Sequence, residues 1–427
     1  MEKKIGKKAV ALGLSMTMLS GQIASSLTLL SAQETDNLED YSDTTKMRSI
    51  DTLDANAVTV DKNFNVSPLY DIENNELLLP RIKGYKVEVF GSDNKATISL
   101  DGKVTRPLVT QTVKLLYKIT NESDGTFITT ETNAMIKIPA KETDVNGENS
   151  KPQVIPELRE WVAGDGEVDL TNSRIVLGTE KFREAAKTFK ADYEDLTGRD
   201  IEIVTGDGKN LQKGDIFIGE ATDETMLGDE GYYMNVGGEN ANQDYVEIKA
   251  IHNTGALYGT ISILQILKQD TTGQNNISKG LVKDYPKFEQ RGMMFDVARK
   301  WIPMEYLQDL TKQMSWYKLN MLSLHLSDND IWNGLSTENG RNGDPEGWFR
   351  LESERFPELN QNSDGYDRGE YYTKEEFRNL QYNSMDLGID VIPELDTPGH
   401  ALAYTRAWPG SQRGDNSKYL DAKNSDN

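Results

Sequence analysis

Glu394, Asp396 and His400 fall within a seven-residue stretch of Ile392-Pro-Glu-Leu-Asp396-Thr-Pro-Gly-His400, two carboxylates and an imidazole near enough in sequence to exchange protons. Such groups are the usual equipment of general acid and base catalysis, because each shifts the pKa of its neighbours. A second set, His325 and Asp328, lies in Asn320-Met-Leu-Ser-Leu-His-Leu-Ser-Asp328, and Asp296 closes Gly292-Met-Met-Phe-Asp296. Taken singly these residues have plainer readings: Asp328-Asn-Asp330 fits a turn or helix cap, Pro398-Gly399 is ordinary turn chemistry, and a lone histidine is more often structural than catalytic. Six polar residues at the ends of three successive apolar runs outweigh those readings.

The apolar runs are the elements that must position them. Residues 292–297, 320–326 and 389–395 read as strands. Pro303 opens a helix whose Leu307, Leu310 and Met314 share one face, because proline is tolerated in a first turn. A long insertion runs to about residue 370, then Thr373 and Glu376 make a capping box for a helix with Phe377 and Leu380, ended by Gly388. Strand and helix alternating in this way imply a parallel sheet or barrel with its functional groups at the C-terminal strand ends. Residues 287–427 are thus expected to form a parallel sheet or barrel.

Upstream, residues 152–286 read as an α+β domain. Phe182, Ala185, Phe189, Tyr193 and Leu196 recur at helical spacing before Gly198; extended runs follow at 201–205, 215–219 and 245–250, then a helix over 254–267. That order predicts a sheet with helices on one face. In residues 67–140, Tyr85, Val87 and Val89, and later Val113, Leu115, Tyr117 and Ile119, alternate with mostly polar neighbours, and Asp101-Gly102 marks a tight turn, so a small β-sandwich is expected. Residues 33–66 are a polar, acidic linker.

Composition bounds the function. Among 427 residues, 37% are hydrophobic and the net charge is −22, which argues against nucleic acid or an anionic lipid surface as partner. The chain has no cysteine, so disulfides, thiol nucleophiles and zinc–thiolate clusters are excluded, and its three histidines disfavour a poly-histidine metal site. No metal and no cofactor are expected. Lys3, Lys4, Lys7 and Lys8 precede an apolar run from Ala9 to Ala32 that is broken by polar residues, which reads as a secretory signal peptide over 1–32 and not as a membrane anchor. The mature chain is therefore expected to be secreted or at the cell surface, without a membrane span.

The segments Arg291-Gly-Met-Met-Phe-Asp-Val-Ala-Arg-Lys300, Tyr317-Lys-Leu-Asn-Met-Leu-Ser-Leu-His-Leu-Ser-Asp328 and Ile392 to His400 together resemble the start of the catalytic barrel of glycoside hydrolase family 20, the β-N-acetylhexosaminidases. For residues 287–427 this resemblance implies the first part of a (β/α)8 TIM barrel, an incomplete one. Residues 152–286 resemble the α+β domain that precedes this barrel, so the likeness covers roughly two thirds of the chain. Trp348-Phe-Arg-Leu-Glu-Ser353, with Asp296 to Lys300, is closer to the lacto-N-biosidase-like branch. Residues 100–107 and 113–119 are similar to bacterial immunoglobulin-like modules that accompany secreted glycosidases, and spacing is the role expected here, with sugar binding as the alternative.

The resemblance implies a glycan substrate with terminal β-linked N-acetylhexosamine, or release of a disaccharide. The implied mechanism is retaining and substrate-assisted: the sugar's own acetamido oxygen attacks the anomeric carbon, an Asp orients the amide and a Glu serves as acid/base. It assigns ring-hydroxyl binding to Arg291, with Asp296 beside it, and a supporting network to Asp328 and His400, joined by Asp396, Glu394 and His325. Trp332, Trp348 and Trp408 offer aromatic faces for a sugar, or equally anchors for loops. The Asp-Glu pair belongs to a fourth strand, whereas residues 291–427 number 137 against about 250 for a whole barrel. Gly228-Asp-Glu230 reads as a surface turn. The expectation is a chain that lacks the acid/base pair and is inactive alone; the alternative is a non-catalytic glycan-binding or cell-surface spacer protein.

Overall fold

The computed structural model describes residues 59–60, 66–67, 69–79, 82–143, 145–222, 225–238, 244–270, 273–329, 347–361, 365–367 and 369–411. The leader, most of the 33–66 linker and Trp332 lie outside the described residues.

The N-terminal module holds β1 (Thr59–Val60), β2 (Val66–Ser67), β3 (Leu69–Asp71), β4 (Glu76–Leu78), β5 (Tyr85–Ser92), β6 (Gln111–Asn121) and β7 (Phe127–Ile138). β1 pairs with β2 and β3 with β4 as antiparallel ribbons, while β5, β6 and β7 form an antiparallel meander. Val113, Leu115, Tyr117 and Ile119 of β6 are buried in alternation, the period-two pattern of a strand with one face on a core. Gly102 takes φ 82° in the expected turn and donates its amide to the Ser99 carbonyl. The strands are present as expected; an immunoglobulin-like arrangement of them stays a proposal.

The middle region contains β8 (Glu160–Asp169), β9 (Arg174–Leu177), α1 (Arg183–Thr197), β10 (Glu202–Thr205), β11 (Ile216–Glu220), β12 (Tyr232–Val236), β13 (Val246–Ala250), α2 (Asn253–Leu267) and β14 (Asn276–Asp284). Its seven-stranded sheet runs β10-β9-β11-β13-β12-β14-β8, parallel from β10 to β13 and antiparallel beyond. Phe182 and the α1 residues Ala185, Phe189 and Tyr193 are buried, and Gly198 in the left-handed region (φ 68°) closes the helix by donating to the Glu194 carbonyl. α2 is buried over nearly its whole circumference, as an all-round apolar helix must be. One side lies on the sheet, and from its far end Gln265 donates to the Trp316 carbonyl of the next region.

That region comprises β15 (Gly292–Asp296), α3 (Met304–Trp316), β16 (Met321–Asn329), β17 (Gly347–Phe349), α4 (Lys374–Asp386), β18 (Asp390–Leu395) and α5 (Leu402–Ala407). β15 and β18 flank β16 in parallel, and β17 pairs antiparallel with its last residues. Pro303 stands just before α3 at its N-cap position without a side-chain cap bond, and the Thr373–Glu376 capping box opens α4. Leu322, Leu324 and Leu326 turn one face of β16 to Leu307, Met314, Phe377 and Leu380 of the helices, which leaves Ser323, His325 and Ser327 on the other face. β15 and β18 pair only with β16 among the described residues, so these show an open parallel sheet and not a closed barrel. β16 also runs on to Asn329, beyond the expected end at Leu326, because Ser327 to Asn329 find backbone partners in β17.

The strand starts are fastened to the middle region by two ion pairs. Arg291, at the entry to β15, makes a two-pronged contact with Glu230 (2.7 and 2.8 Å) and also donates to the Phe288 and Lys318 carbonyls. The 228–230 turn is therefore not a plain surface turn: Asp229 is exposed, but Glu230 holds the Arg291 guanidinium and the Asn320 amide. Buried Lys318 donates to Asp284 (2.8 Å) and Ser262 (2.9 Å). Lys318→Met would leave Asp284 buried without a cation, and we expect a loss of about 3–5 kcal/mol in urea unfolding, largely restored when Asp284→Asn is added. A loss below about 1 kcal/mol would show that the pair does not fasten the two regions.

Candidate active site

The parallel register places Asp296, His325 and Glu394 in one row across β15, β16 and β18. All three lie on the face opposite the helices: Phe295 and Leu324, next to Asp296 and His325, pack into the helix-covered core, and Glu394 bonds to Ser323 and His325 on the other face of β16. His325 is buried, with Nδ1 2.9 Å from Glu394 and Nε2 2.6 Å from Asp328. Both ring nitrogens thus face carboxylates, an arrangement satisfied when both donate, as in the imidazolium. Burial alone would lower the His325 pKa; the hydrogen bonds to Asp328 and Glu394 outweigh it and raise the pKa above the usual value.

Asp328 is the centre of the site. Its carboxylate is 1% exposed. One oxygen accepts from the Asn329 amide (2.6 Å) and His400 Nδ1 (2.7 Å); the other accepts from His325 Nε2 and pairs with the Arg299 guanidinium. Burial would raise its pKa, and these donors together hold it below the usual carboxylate value. Glu394 is held down by hydrogen bonds from Ser323 (2.8 Å) and then His325. Because Nδ1 of His400 faces Asp328, Nε2 is left for the open side of this half-exposed ring. His400 has φ 53°, uncommon for a side-chain-bearing residue, and the sharp turn after Pro398-Gly399 brings its imidazole back over β16. Asp396 lies 3.7 Å from His400, and its amide donates to Ser327.

Of the residues expected from sequence, Asp296, His325, Asp328, Glu394, Asp396 and His400 are brought together here. Arg291 is not. It sits at the opposite end of β15, about 16 Å along the strand from Asp296, and Glu230 occupies its guanidinium. The arginine that faces the site is Arg299, whose Nη1 pairs with Asp296 (2.6 Å) and whose Nη2 pairs with Asp328. Asp296 is spent on this role, since it also accepts the Ala298 and Arg299 amides and offers little to a ligand. Arg299 was overlooked; its signal was an acid followed three residues later by a base just past a strand end.

Trp348 is buried with its ring 3.9 Å from the Arg350 guanidinium, so it is a core anchor and presents no face to a sugar. Trp408, at the end of α5, packs edge-on against Phe356 (centroids 4.4 Å apart) and stays about one-third exposed, 37%. The Tyr404 hydroxyl, also unforeseen, meets Ser327 beside Asp396. A cleft of about 1300 Å³ lies between the β module and the strand starts, lined by Asn94, Tyr285, Phe288 and Asp390, and holds none of the clustered groups. His325, Asp328 and Asp396 bring ligand-type atoms within 4.8 Å of one another, yet the donor set does not suit a metal, because His325 aims both nitrogens at carboxylates and Arg299 already supplies the cation.

Carboxylates, imidazoles and a guanidinium are thus gathered at the C-terminal ends of parallel strands, the place where α/β folds carry their functional groups. Residues 151–285 match glycosyl hydrolase family 20, domain 2, and residues 288–340 and 342–426 match the glycosyl hydrolase family 20 catalytic domain. The chain belongs to glycosyl hydrolase family 20. It is 29% identical over 275 residues to a beta-hexosaminidase of Vibrio furnissii, covering 64% of this chain and 41% of that protein. It is 24% identical over 274 residues to a lacto-N-biosidase of Bifidobacterium bifidum, covering 64% and 21%, and 36% identical over 155 residues to a beta-hexosaminidase of Akkermansia muciniphila, covering 36% and 30%. The chain spans less than half the length of each of these relatives.

The raised His325 pKa fixes the sign of one pH dependence. A group that binds its proton more tightly when folded adds stability that is fully present below its unfolded pKa of about 6.5 and is lost as pH rises through the folded value. Urea midpoints measured from pH 5 to 9 are expected to fall above about pH 6.5 in the parent chain and to fall less in His325→Gln. Parallel curves would refute the pairing.

Proposed function

We propose that this chain is the sugar-recognising part of an exported exo-acting glycosidase that removes terminal β-linked N-acetylhexosamine, or a disaccharide carrying it, by substrate-assisted hydrolysis. The observation that carries the reading is the Asp328 carboxylate, buried and shared by His325, His400 and Arg299. Such a network holds a defined charge next to the open faces of Glu394, Asp396 and His400, where a neighbouring acid/base group would have its pKa set. Arg299 takes the sugar-hydroxyl role, because it is the arginine at the strand ends and its charge is braced by two carboxylates. The lysine-rich leader supports export, and among the described residues no helix is long and apolar enough to cross a membrane.

A second reading, that the chain by itself binds glycan without cleaving it, is favoured by one observation: no Asp-Glu pair stands beside the network among the described residues. Calorimetric titration with N-acetylglucosamine, paired with a chromogenic N-acetylglucosaminide assay, separates the readings. We expect binding without turnover. Arg299→Ala should weaken binding about tenfold or more, the scale of one lost charged hydrogen bond, and Arg291→Ala should leave it within about twofold. Turnover would overturn the binding-only reading, and equal losses in the two variants would overturn the assignment of Arg299.

A further inference from the structure

Arg350 has no part in the network described above, yet it is among the largest fully buried side chains, at 1% exposure. A buried guanidinium is costly unless its donors and charge are met. Here they are met mainly by backbone. Nε donates to the Val297 and Ala298 carbonyls (3.1 and 3.0 Å), Nη2 to the Ala298 carbonyl (2.8 Å), and Nη1 to the Glu370 carbonyl (2.9 Å) and carboxylate (3.2 Å). The guanidinium lies over Trp348 at 3.9 Å and near Trp301 at 5.7 Å, and Trp301 stacks on Tyr372. Its own backbone is fixed as well, by Leu326 on one side and Tyr372 on the other.

The segment that Arg350 grips is the turn leading into Arg299. The Val297 and Ala298 amides donate to the His325 carbonyl, so both residues are tied through N–H to β16 and through C=O to Arg350. The chain leaves that turn in one direction, which delivers the Arg299 guanidinium between Asp296 and Asp328. A fork with several donors can hold two successive carbonyls at fixed spacing; a lysine ammonium, a single point of charge, cannot.

We infer that Arg350 is a positioning residue that holds the Val297–Ala298 turn so that Arg299 is aimed at Asp328. The inference builds on Arg299 as the sugar-facing cation, but its test needs no sugar and so fails or succeeds separately. Arg299 and His325 share one Asp328 oxygen, which makes the imidazole a reporter of where the guanidinium lies. The charged groups facing that imidazole are Asp296, Arg299, Asp328 and Glu394, with His400 and Asp396 beyond Asp328.

Histidine ring resonances of the full chain, which has three histidines, would be titrated by NMR in the parent, Arg299→Gln, Arg350→Met, Arg350→Lys and the double variant Arg299→Gln/Arg350→Met. Removing the Arg299 charge should raise the His325 midpoint by about one pH unit. Arg350→Met should raise it in the same direction by about half a unit or more, Arg350→Lys by less, and the double variant should match Arg299→Gln alone, because both changes act through one group. His252, paired with Asp229 outside the network, serves as the unmoved control. A His325 midpoint unchanged in Arg350→Met, even with a lowered melting temperature, overturns the inference and makes Arg350 a core residue only; so does an additive shift in the double variant. Should Arg350→Met not fold, Arg350→Lys decides by the same shift or its absence.

Discussion

The burial of the Asp328 carboxylate is the constraint on which the rest of the site depends. A carboxylate so nearly removed from water is costly unless its lone pairs are filled, and removing a partner from a buried charge costs several kcal/mol. Each of its donors comes from a different place: the next peptide amide, a histidine three residues earlier on the same strand, an arginine beyond the end of β15 and a histidine in the turn after β18. Filling one carboxylate therefore fixes the relative register of three strands and the path of two turns. The left-handed backbone of His400 and the row Asp296–His325–Glu394 are consequences of the same requirement.

The two ends of the strands divide the work. At their starts, Arg291 and Lys318 are bound to Glu230 and Asp284 of the middle region, where the charges serve cohesion. At their ends, Arg299, His325 and His400 converge on Asp328, where charge fills one buried carboxylate. Bottom for stability and top for function is the division expected of parallel α/β sheets. It accounts for two arginines eight residues apart in sequence having unrelated roles. Burial of α2 on most sides belongs to the same scheme, since it fills the space between the middle sheet and the strand starts.

Much of this was legible in sequence where local rules and tertiary demands agree. The Thr373–Glu376 capping box, the apolar faces of α1 and α3 and the period-two alternation of β6 each name their element directly. The antiparallel strands β8, β12 and β14 were not read, because Gly164 and Gly166 break the apolar pattern of β8 and because the near-continuous burial of β14 has no alternation to detect. In the site, the six polar strand-end residues were legible by type and position. The role given to Arg291 came from the resemblance and not from its position: it precedes β15 and so lies at the N-terminal end of the strand, away from the clustered groups. Trp348 was open to either reading, since an indole that packs on a buried guanidinium looks in sequence like one that stacks on a sugar.

Exposure sorts the network into layers and thereby limits what each group can do. Asp328 and His325 are inside, so they set charge and orientation and cannot themselves meet a substrate. Glu394, Asp396 and His400 keep 41%, 37% and 53% of their side chains open; Glu394 and His400 are hydrogen-bonded to the inner layer, and Asp396 lies 3.7 Å from His400. A proton moved at the outer layer is felt at Asp328 without Asp328 being touched, because its oxygens are filled by donors of fixed geometry. A preorganised polar arrangement of this kind need not reorganise when charge develops on a bound group, which is the condition under which hydrogen bonds stabilise a transition state more than a ground state. The residues present thus form a preorganised network in two layers, an inner pair that fixes charge and an outer set left open to solvent.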